Sequence, residues 1–351
     1  MTIRAAVAGL ASILVAGCGT LPAQPDRSIS SAPQPHSDSP LVRSIAESTP
    51  NLDAYWNSPA AYPVETVVAA SGSQVDLQRG FDHLVDDGEQ MRSIPVPAAD
   101  MLGQRPLGRD LDAGPLQLAW CTAVAFADRP DKVTATSAAM ARAMSAQMNI
   151  MDRVSASERN VVISSPYFVP GPLGVQAFRE LTGRNIKVAI LTNSLAANDV
   201  PLVHTGYARY RAELLRIGVE LYELSPTRMF RNDESLVPTM SIGRLHTKAA
   251  VIDESIVYLG SVNLDPRSDS TNTELGILAE CPELARQVID VISVSQRGSS
   301  YRLRFANDGV TLEWLMTTDA GEVILTQEPE VTPLMRLQNI LFGPFVPEQL
   351  L

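Results

Sequence analysis

Two basic side chains in the C-terminal half of the chain have types and a spacing that suit chemistry on phosphate esters. His246 and Lys248 lie in residues 245–253, whose apolar run predicts a β-strand. Residues two apart on a strand point to the same side, so the imidazole and the ammonium should be neighbours. An imidazole can attack phosphorus or donate a proton, and an ammonium stabilises charge that builds on phosphoryl oxygens. Asp253 ends this strand with the opposite parity, so we expect it to have a structural or orienting role.

Polar side chains after the next predicted strand could complete such a site. Ser261 and Asn263 end that strand, and their hydroxyl and amide groups can bind phosphate oxygens beside His246 and Lys248. Glu274 follows eleven residues after Asn263. A carboxylate that accepts a hydrogen bond from the far nitrogen of an imidazole fixes the tautomer and favours the protonated ring, and we expect Glu274 to act in this way.

These motifs resemble those of the phospholipase D superfamily, whose signature is His-x-Lys-x4-Asp followed by Gly-Ser-x-Asn. Four further segments are similar to the second half of bacterial cardiolipin synthases of the phospholipase D type, namely residues 165–171, 191–197, 203–207 and 265–268. Residues 55–58 and 62–65 resemble the segment that joins the two halves of those enzymes. The resemblance therefore covers roughly residues 50–351.

The resemblance implies a phospholipase D-like, layered α/β/α sandwich with a mixed sheet. It also implies a phosphatidyltransferase that makes cardiolipin by exchange between phospholipids, through a covalent phosphohistidine and without a metal ion or other cofactor. The residues carried over as catalytic are His246, Lys248, Asp253 and Glu274. Lys248, Ser261 and Asn263 are carried over as the groups that hold phosphate.

The sequence departs from the two-part enzymes in one respect, because it contains a single His-x-Lys-x4-Asp motif. Only 36 residues separate Cys18 from Tyr55, too few for a first half-domain of this layered type. In two-motif members the first histidine usually attacks phosphorus, so His246 is expected to be the acid and base. Single-motif members form dimers in which two copies of the motif face each other, so a homodimer is a possible assembly here.

Strand and helix patterns beyond residue 115 independently predict a layered α/β domain. The expected strands cover residues 116–126, 161–165, 187–191 and 219–224, and the expected helices cover 133–153, a segment after 174, and 202–217. Residues 245–252 and 256–259 are joined through 253–255 as a hairpin, which makes the sheet mixed. A helix at 283–294 and three short strands within 301–327 complete the domain.

The pattern of the N-terminal residues predicts a targeting signal followed by a flexible tether. One positive charge, a short apolar run and small residues before Cys18 resemble a bacterial lipobox, which implies a signal peptide of residues 1–17 and lipidation of Cys18. An ordinary secretory signal is the alternative. The lipobox places the protein in the bacterial cell envelope, anchored to a membrane and facing the periplasm. Residues 18–48 form a flexible tether, residues 49–114 are helices and loops left from the connection between halves, and residues 115–351 are the phospholipase D-like domain.

The segment at 49–114 contains two expected helices, 64–71 and 75–93, and a loop at 94–114. The second helix should carry Phe81, Leu84 and Met91 on one apolar stripe.

The composition limits the partners. With 28 Lys and Arg against 39 Asp and Glu, the net charge is −11, which argues against a non-specific nucleic-acid binder. Phospholipids are the expected substrates.

Cys121 and Cys281 could pair in an oxidising compartment, but buried free thiols are common and we expect two separate, partly buried cysteines.

Two alternatives to the phosphatidyltransferase stay open. The same site could hydrolyse phosphodiesters of phospholipid or nucleic acid, because water can replace the acceptor alcohol. The chain could also be a catalytically impaired remnant that binds lipid, because it has one motif where the two-part enzymes have two.

Overall fold

A computed structural model describes residues 53–59, 61–62, 74–90, 119–228, 243–318 and 320–351. Contacts divide the chain into two units, Met1–Ile94 and Pro95–Leu351. The expected signal, the tether, the helix at 64–71 and the loop at 94–114 lie outside the described residues, and so does most of the domain division predicted from the sequence. None of the described helices is both long enough and apolar enough to cross a membrane.

The first unit contains the helix α1, Gln74–Gln90. It confirms the helix expected at 75–93 within a few residues at each end. Phe81 and Leu84 lie on this helix with 61% and 72% of their surface exposed.

The second unit is built on one mixed sheet of ten strands among the described residues, in the spatial order β1-β7-β6-β5-β2-β3-β4-β8-β9-β10. β2, β3 and β4 run parallel, while every other neighbouring pair is antiparallel. The strands are β1 Thr122–Ala127, β2 Asn160–Ser164, β3 Lys187–Asn193, β4 Glu220–Leu224, β5 Ala249–Ile252, β6 Ile256–Gly260, β7 Leu275–Glu280, β8 Ser300–Phe305, β9 Leu312–Thr318 and β10 Gly321–Leu325. The mixed sheet predicted from the 245–259 hairpin is confirmed.

Helices connect the strands. They are α2 Ala138–Ala143, α3 Ala146–Ser155, α4 Gly171–Gly183, α5 Pro201–Ala208, α6 Arg211–Arg216, α7 Pro266–Ser270, α8 Pro282–Val294 and α9 Pro333–Phe342. The main core packs α3 to α6 against one face of the sheet, with Ile150, Phe178 and Leu214 among its buried members. On the opposite face Val251 and Val257 pack against α8 through Ala285. Helices on both faces confirm the layered α/β/α class.

Two helices expected from the sequence are each broken in the structure. The helix expected at 133–153 is a 3-10 turn, Pro130–Thr134, followed by α2 and α3. The break comes at Ser145, whose extended backbone precedes α3 and whose hydroxyl accepts a hydrogen bond from the N–H of Gln147. The helix expected at 202–217 is likewise divided into α5 and α6 around residues 209–210.

Cys121 and Cys281 form a disulfide, with their Cα atoms 5.4 Å apart. The expectation of two separate thiols is therefore wrong. The reason is topological, because β1 pairs with β7 so that Thr122 lies opposite Glu280. The residue before β1 and the residue after β7 are then direct neighbours, although 160 positions separate them in sequence. No periodicity within either strand predicts that pairing.

Candidate active site

The sequence-predicted residues meet at one edge of the sheet. The parallel strands β2, β3 and β4 end at this edge, and so does β6. β5 and β7 run in the opposite sense and begin there. The edge therefore collects the segments before β5 and after β6, which carry His246, Lys248, Ser261 and Asn263.

His246 and Lys248 are neighbours, as the sequence spacing predicts. Lys248 Nζ lies 3.1 Å from Nε2 and 3.3 Å from Nδ1 of the His246 ring, and it donates to the His246 carbonyl oxygen at 3.0 Å. The imidazole is exposed and the lysine is half-buried. An exposed imidazole beside an ammonium can reach a phosphodiester, with the positive charge already close to the ring.

The segment that carries these two residues is held by side chains and is not itself part of the strand. The strand expected from residue 245 begins at Ala249. Before it, Leu245 donates its N–H to Asn193 Oδ1 at 2.9 Å and accepts from Asn193 Nδ2 at 3.1 Å. Ser164 donates to the Thr247 carbonyl at 3.4 Å. Asn193 at the end of β3 thus takes the place of a neighbouring strand and positions His246, a role that sequence reasoning missed.

Glu274 is buried and accepts hydrogen bonds from three side chains. The Ser261 hydroxyl donates to Glu274 Oε2. Glu274 Oε1 accepts from the Ser268 hydroxyl at 2.9 Å and from Asn272 Nδ2 at 3.2 Å. The structure shows these partners in place of the His246 ring nitrogen expected from the sequence. The Ser261 hydroxyl donates its proton to this carboxylate. Ser261 is therefore placed to orient Glu274 and cannot donate the same proton to a phosphate oxygen.

Asn263 is buried beside the same network. Its N–H donates to the Ser268 hydroxyl at 3.1 Å. Its side-chain Oδ1 is buried with no hydrogen-bond partner among the described residues. A buried acceptor without a donor is costly, because the oxygen has lost its hydrogen bonds to water.

A buried ion pair, Asp128 with Lys132, binds the backbone of Glu274 and Ser268. Lys132 Nζ donates to Asp128 Oδ2 at 2.6 Å and to the Ser268 carbonyl at 2.7 Å, and both charged side chains are fully buried. The same Asp128 oxygen accepts the N–H of Glu274 at 2.9 Å. This pair therefore fixes the backbone on both sides of the Glu274 loop. Sequence reasoning missed it, because Lys132 and Ser268 are 136 positions apart.

Asp253 lies at the other end of the hairpin, away from His246. Its carboxylate accepts the backbone N–H groups of Glu158, Arg159 and Asn160 at 2.7–3.1 Å. Burial acts to raise the pKa of Asp253, but these hydrogen bonds outweigh it and hold the pKa below its usual value. With φ of 54°, Asp253 also sits in the left-handed region that the hairpin turn requires. The geometry gives Asp253 a structural part, joining the hairpin to the start of β2.

Acidic side chains surround Lys248 at the edge of the sheet. Burial lowers the pKa of the Lys248 ammonium, while Glu274, Asp265 and Asp199 oppose that shift. Asp199 accepts a hydrogen bond from the Tyr167 hydroxyl at 2.8 Å. Burial together with this bond raises the pKa of Tyr167 to about 12. The carboxylates therefore offset only part of the effect of burial, and the pKa of Lys248 stays below its usual value.

His204 is not part of this edge. It is 1% exposed, and its Nε2 lies 2.9 Å from Glu328 Oε1, beside the buried guanidinium of Arg211. His204 is therefore a buried histidine of the domain core. Among the described residues there is also no group of three or more His, Cys, Asp or Glu side chains suited to holding a metal ion. Cys18 lies outside the described residues, so its lipidation stays a prediction.

Comparison with known proteins decides the family. Residues 150–293 match the family described as "Cardiolipin synthase, PLD-like domain". Cardiolipin synthase C of Escherichia coli strain K12 is 34% identical over 320 residues, which is 86% of this chain and 63% of that protein. The chain belongs to the phospholipase D superfamily. It spans less than two thirds of the length of that relative.

Other relatives of this phospholipase D superfamily member match over a shorter region. Cardiolipin synthase A of Pseudomonas putida strain W619 is 29% identical over 138 residues, 39% of this chain and 25% of that protein. Among solved structures, phosphatidylserine synthase of Haemophilus influenzae covers 89% of the chain and is itself covered to 62%, with 15% identity and a TM-score of 0.45. The phospholipase D family member Nuc of Salmonella typhimurium covers 51% and is covered to 99%, with 15% identity and a TM-score of 0.36.

Asp265, which follows Asn263 by two positions, gives this domain a pH-dependent stability. It caps α7 by accepting the N–H of Ser268 at 2.7 Å, and burial raises its pKa from 3.8 to about 6. The folded state therefore binds the proton more tightly than the unfolded state. The stability that this confers is present below about pH 4 and is lost as the pH rises through about 6.

Replacing Asp265 with Asn should stabilise the domain at pH 7.5. The amide stays neutral and its oxygen can still accept the Ser268 N–H, so the free energy of unfolding should rise by about 2 to 3 kcal/mol. Urea unfolding at pH 7.5 and pH 4.5 would measure this, and most of the gain should be absent at the lower pH. The exposed Asp290→Asn serves as the matched control. An equal gain at both pH values would contradict the assignment.

Proposed function

We propose that this chain is a phosphatidyltransferase of the phospholipase D type that makes cardiolipin from phospholipids through a phosphohistidine. The observation that carries the proposal is the exposed His246 ring with Lys248 Nζ 3.1 Å away, at the sheet edge where β5 begins. The 34% identity to a cardiolipin synthase over most of the chain supports this choice of reaction.

The reaction needs two imidazoles on opposite sides of phosphorus, and we propose that two copies of the chain supply them. A ring nitrogen of His246 in one copy attacks phosphorus, and the bond from phosphorus to the departing glycerol oxygen breaks. His246 of the second copy donates a proton to that oxygen as it leaves. Lys248 stabilises the charge on the non-bridging oxygens, while Glu274 with Ser261 shapes the site around them.

The second step releases the product. The hydroxyl of an acceptor phosphatidylglycerol gives its proton to the now neutral imidazole of the second copy and attacks phosphorus. The phosphorus–nitrogen bond breaks and His246 of the first copy is regenerated. Two phosphatidylglycerol molecules thereby give one cardiolipin and one glycerol, and no metal ion takes part in either step.

The exposure of His246 favours a second candidate, a phosphodiesterase. Water can reach an exposed phosphohistidine and take the place of the acceptor alcohol, which yields phosphatidic acid from a phospholipid. The acidic balance of the chain, 39 Asp and Glu against 28 Lys and Arg, favours lipid over nucleic acid as the substrate of such an enzyme.

Anchoring at a membrane belongs to the same proposal. A diacylated Cys18 would hold the domain at a bilayer surface through the residues that follow it, on the periplasmic side of a bacterial envelope. Substrate and enzyme would then share one surface, which suits a reaction between two lipids.

Product analysis distinguishes the candidates. The full chain is incubated with vesicles of phosphatidylglycerol labelled in the terminal glycerol, with and without a chelator. The proposal expects labelled free glycerol together with cardiolipin, at a rate that the chelator leaves unchanged. Phosphatidic acid with no cardiolipin would make the phosphodiesterase the function, and no product at any protein concentration would support a lipid-binding remnant. Activity that disappears in chelator and returns with a divalent metal would overturn the mechanism.

A further inference from the structure

The helix α9 presents its apolar side to solvent, the reverse of an ordinary surface helix. Five large apolar side chains on α9 and the 3-10 turn after it are exposed by 52% to 76%. We call these the α9 apolar face: Leu334, Leu337, Ile340, Leu341 and Phe345. Leu334, Leu337 and Leu341 follow one another at spacings of three and four residues, so they form one continuous stripe on the helix.

Polar contacts fix the helix in this orientation. Arg336 on the inner side donates to Gln327 Oε1 at 3.0 Å and to the Glu328 carbonyl at 3.4 Å. Arg209 donates to the carbonyls of Gly343 and Val346 at 2.6 Å and 3.1 Å, just beyond the helix end. The Thr332 hydroxyl caps the first turn. The outward apolar stripe is therefore held in place by the body of the domain.

We propose that the α9 apolar face inserts into the interfacial region of a phospholipid bilayer. The lack of acidic side chains suits an anionic membrane, because residues 333–346 contain no Asp or Glu that its surface would repel, in a chain with 39 acidic residues. A helix of ten residues is about 15 Å long and lies flat in the boundary between headgroups and acyl chains, as amphipathic surface helices do.

The size of the face favours a bilayer over a second copy of the chain. Five side chains of this kind expose on the order of 500 Å² together, less than the ~800 Å² per partner of a stable protein interface. The face is also the convex surface of a single helix. A fluid bilayer accepts such a shape, whereas a protein partner requires a matching concave surface.

The position of the helix links this surface to the candidate site. α9 packs on α5, and Gly343 lies against Thr205 of that helix. At the start of α5 the apolar side chains of Val200 and Leu202 are also about 40% exposed. They follow Asp199, one of the carboxylates that act on Lys248. The inference rests on the proposed function in one respect, since a lipid headgroup must reach that edge of the sheet from the bilayer.

An environment-sensitive fluorophore tests the insertion directly. It is attached at Ile340→Cys in the full chain, and at Ile324→Cys on the edge strand β10 as the matched control, since Ile324 is 47% exposed. Vesicles of phosphatidylethanolamine and phosphatidylglycerol should raise the emission of the label at 340 several-fold and shift it to the blue. The label at 324 should not respond. No change at 340, or an equal change at both positions, would overturn the proposal. A change at 340 that needs protein concentration and no vesicles would assign the face to a second copy and overturn it too.

A double variant connects insertion with activity. Leu337→Gln with Ile340→Gln should lower the rate on vesicles about tenfold and leave the rate on detergent-dispersed phospholipid unchanged, because detergent brings the lipid to the site without a bilayer. Equal rates for variant and wild type on vesicles would count against the proposal. If the wild type has no activity on either substrate, the proposed function fails, while the fluorophore still reports whether the helix inserts.

Discussion

His246→Ala should abolish transfer and hydrolysis together. His246 carries the one imidazole at the sheet edge among the described residues, and its ring nitrogens lie within 3.3 Å of the Lys248 ammonium. Loss of a positioned acid alone is worth about 10²–10⁴-fold, and loss of the nucleophile removes the covalent route altogether. The rate of labelled glycerol release from phosphatidylglycerol measures this loss.

Two controls make the result specific. His83→Ala removes an exposed histidine from α1 and should leave the rate unchanged. The thermal midpoint of His246→Ala should match the wild type, because the His246 side chain is exposed. A His246→Ala protein that keeps more than about a tenth of the wild-type rate would show that another group attacks phosphorus.

Mixing inactive and wild-type subunits should suppress the wild-type activity. The sequence holds one His-x-Lys-x4-Asp motif, and a single imidazole cannot stand on both sides of an in-line displacement. If two copies share each site, a ninefold excess of His246→Ala subunits leaves about one tenth of the wild-type subunits with a wild-type partner. The rate per wild-type subunit should fall to about that fraction after the subunits have exchanged.

The molar mass in detergent and the effect of dilution complete this experiment. A dimer is expected, and its specific activity should fall on dilution below its dissociation constant. An excess of His83→Ala subunits should cause no suppression, because that variant keeps the motif. A monomer that turns over steadily and is unaffected by the His246→Ala subunits would contradict a shared site.

The sequence predicts most of the fold where local pattern and local structure coincide. Two apolar runs joined through residues 253–255 predicted the β5–β6 hairpin, and a spacing of two placed the His246 ring beside the Lys248 ammonium. The start of β5 could not be predicted in this way. Leu245 bonds to the side chain of Asn193, a residue 52 positions away, and nothing near Leu245 indicates this. Ser145 similarly ends one helical pattern by capping the next helix.

The support of the candidate site is the part that sequence reasoning could not reach. Glu274 is held by Asp128 at a separation of 146 positions, and Asp128 is in turn paired with Lys132. Each of these residues reads as an ordinary surface charge in its own segment. Only the pairing of β1 with β7 brings them together, because Asp128 directly follows β1 and Glu274 directly precedes β7.

The disulfide therefore ties the candidate site to the redox state of its surroundings. Cys121 anchors the start of β1, which in the described part of the chain is an edge strand paired with β7 alone, and Asp128 directly follows the end of β1. Closing a loop across 160 positions stabilises the folded chain by about 5 kcal/mol in the chain-entropy view. In a thiol-reducing compartment this contribution is absent. β1, which positions Asp128 and Lys132 beside Glu274, is then no longer covalently linked to the end of β7. The same covalent link would keep the two fragments together after a single backbone cleavage anywhere between Cys121 and Cys281.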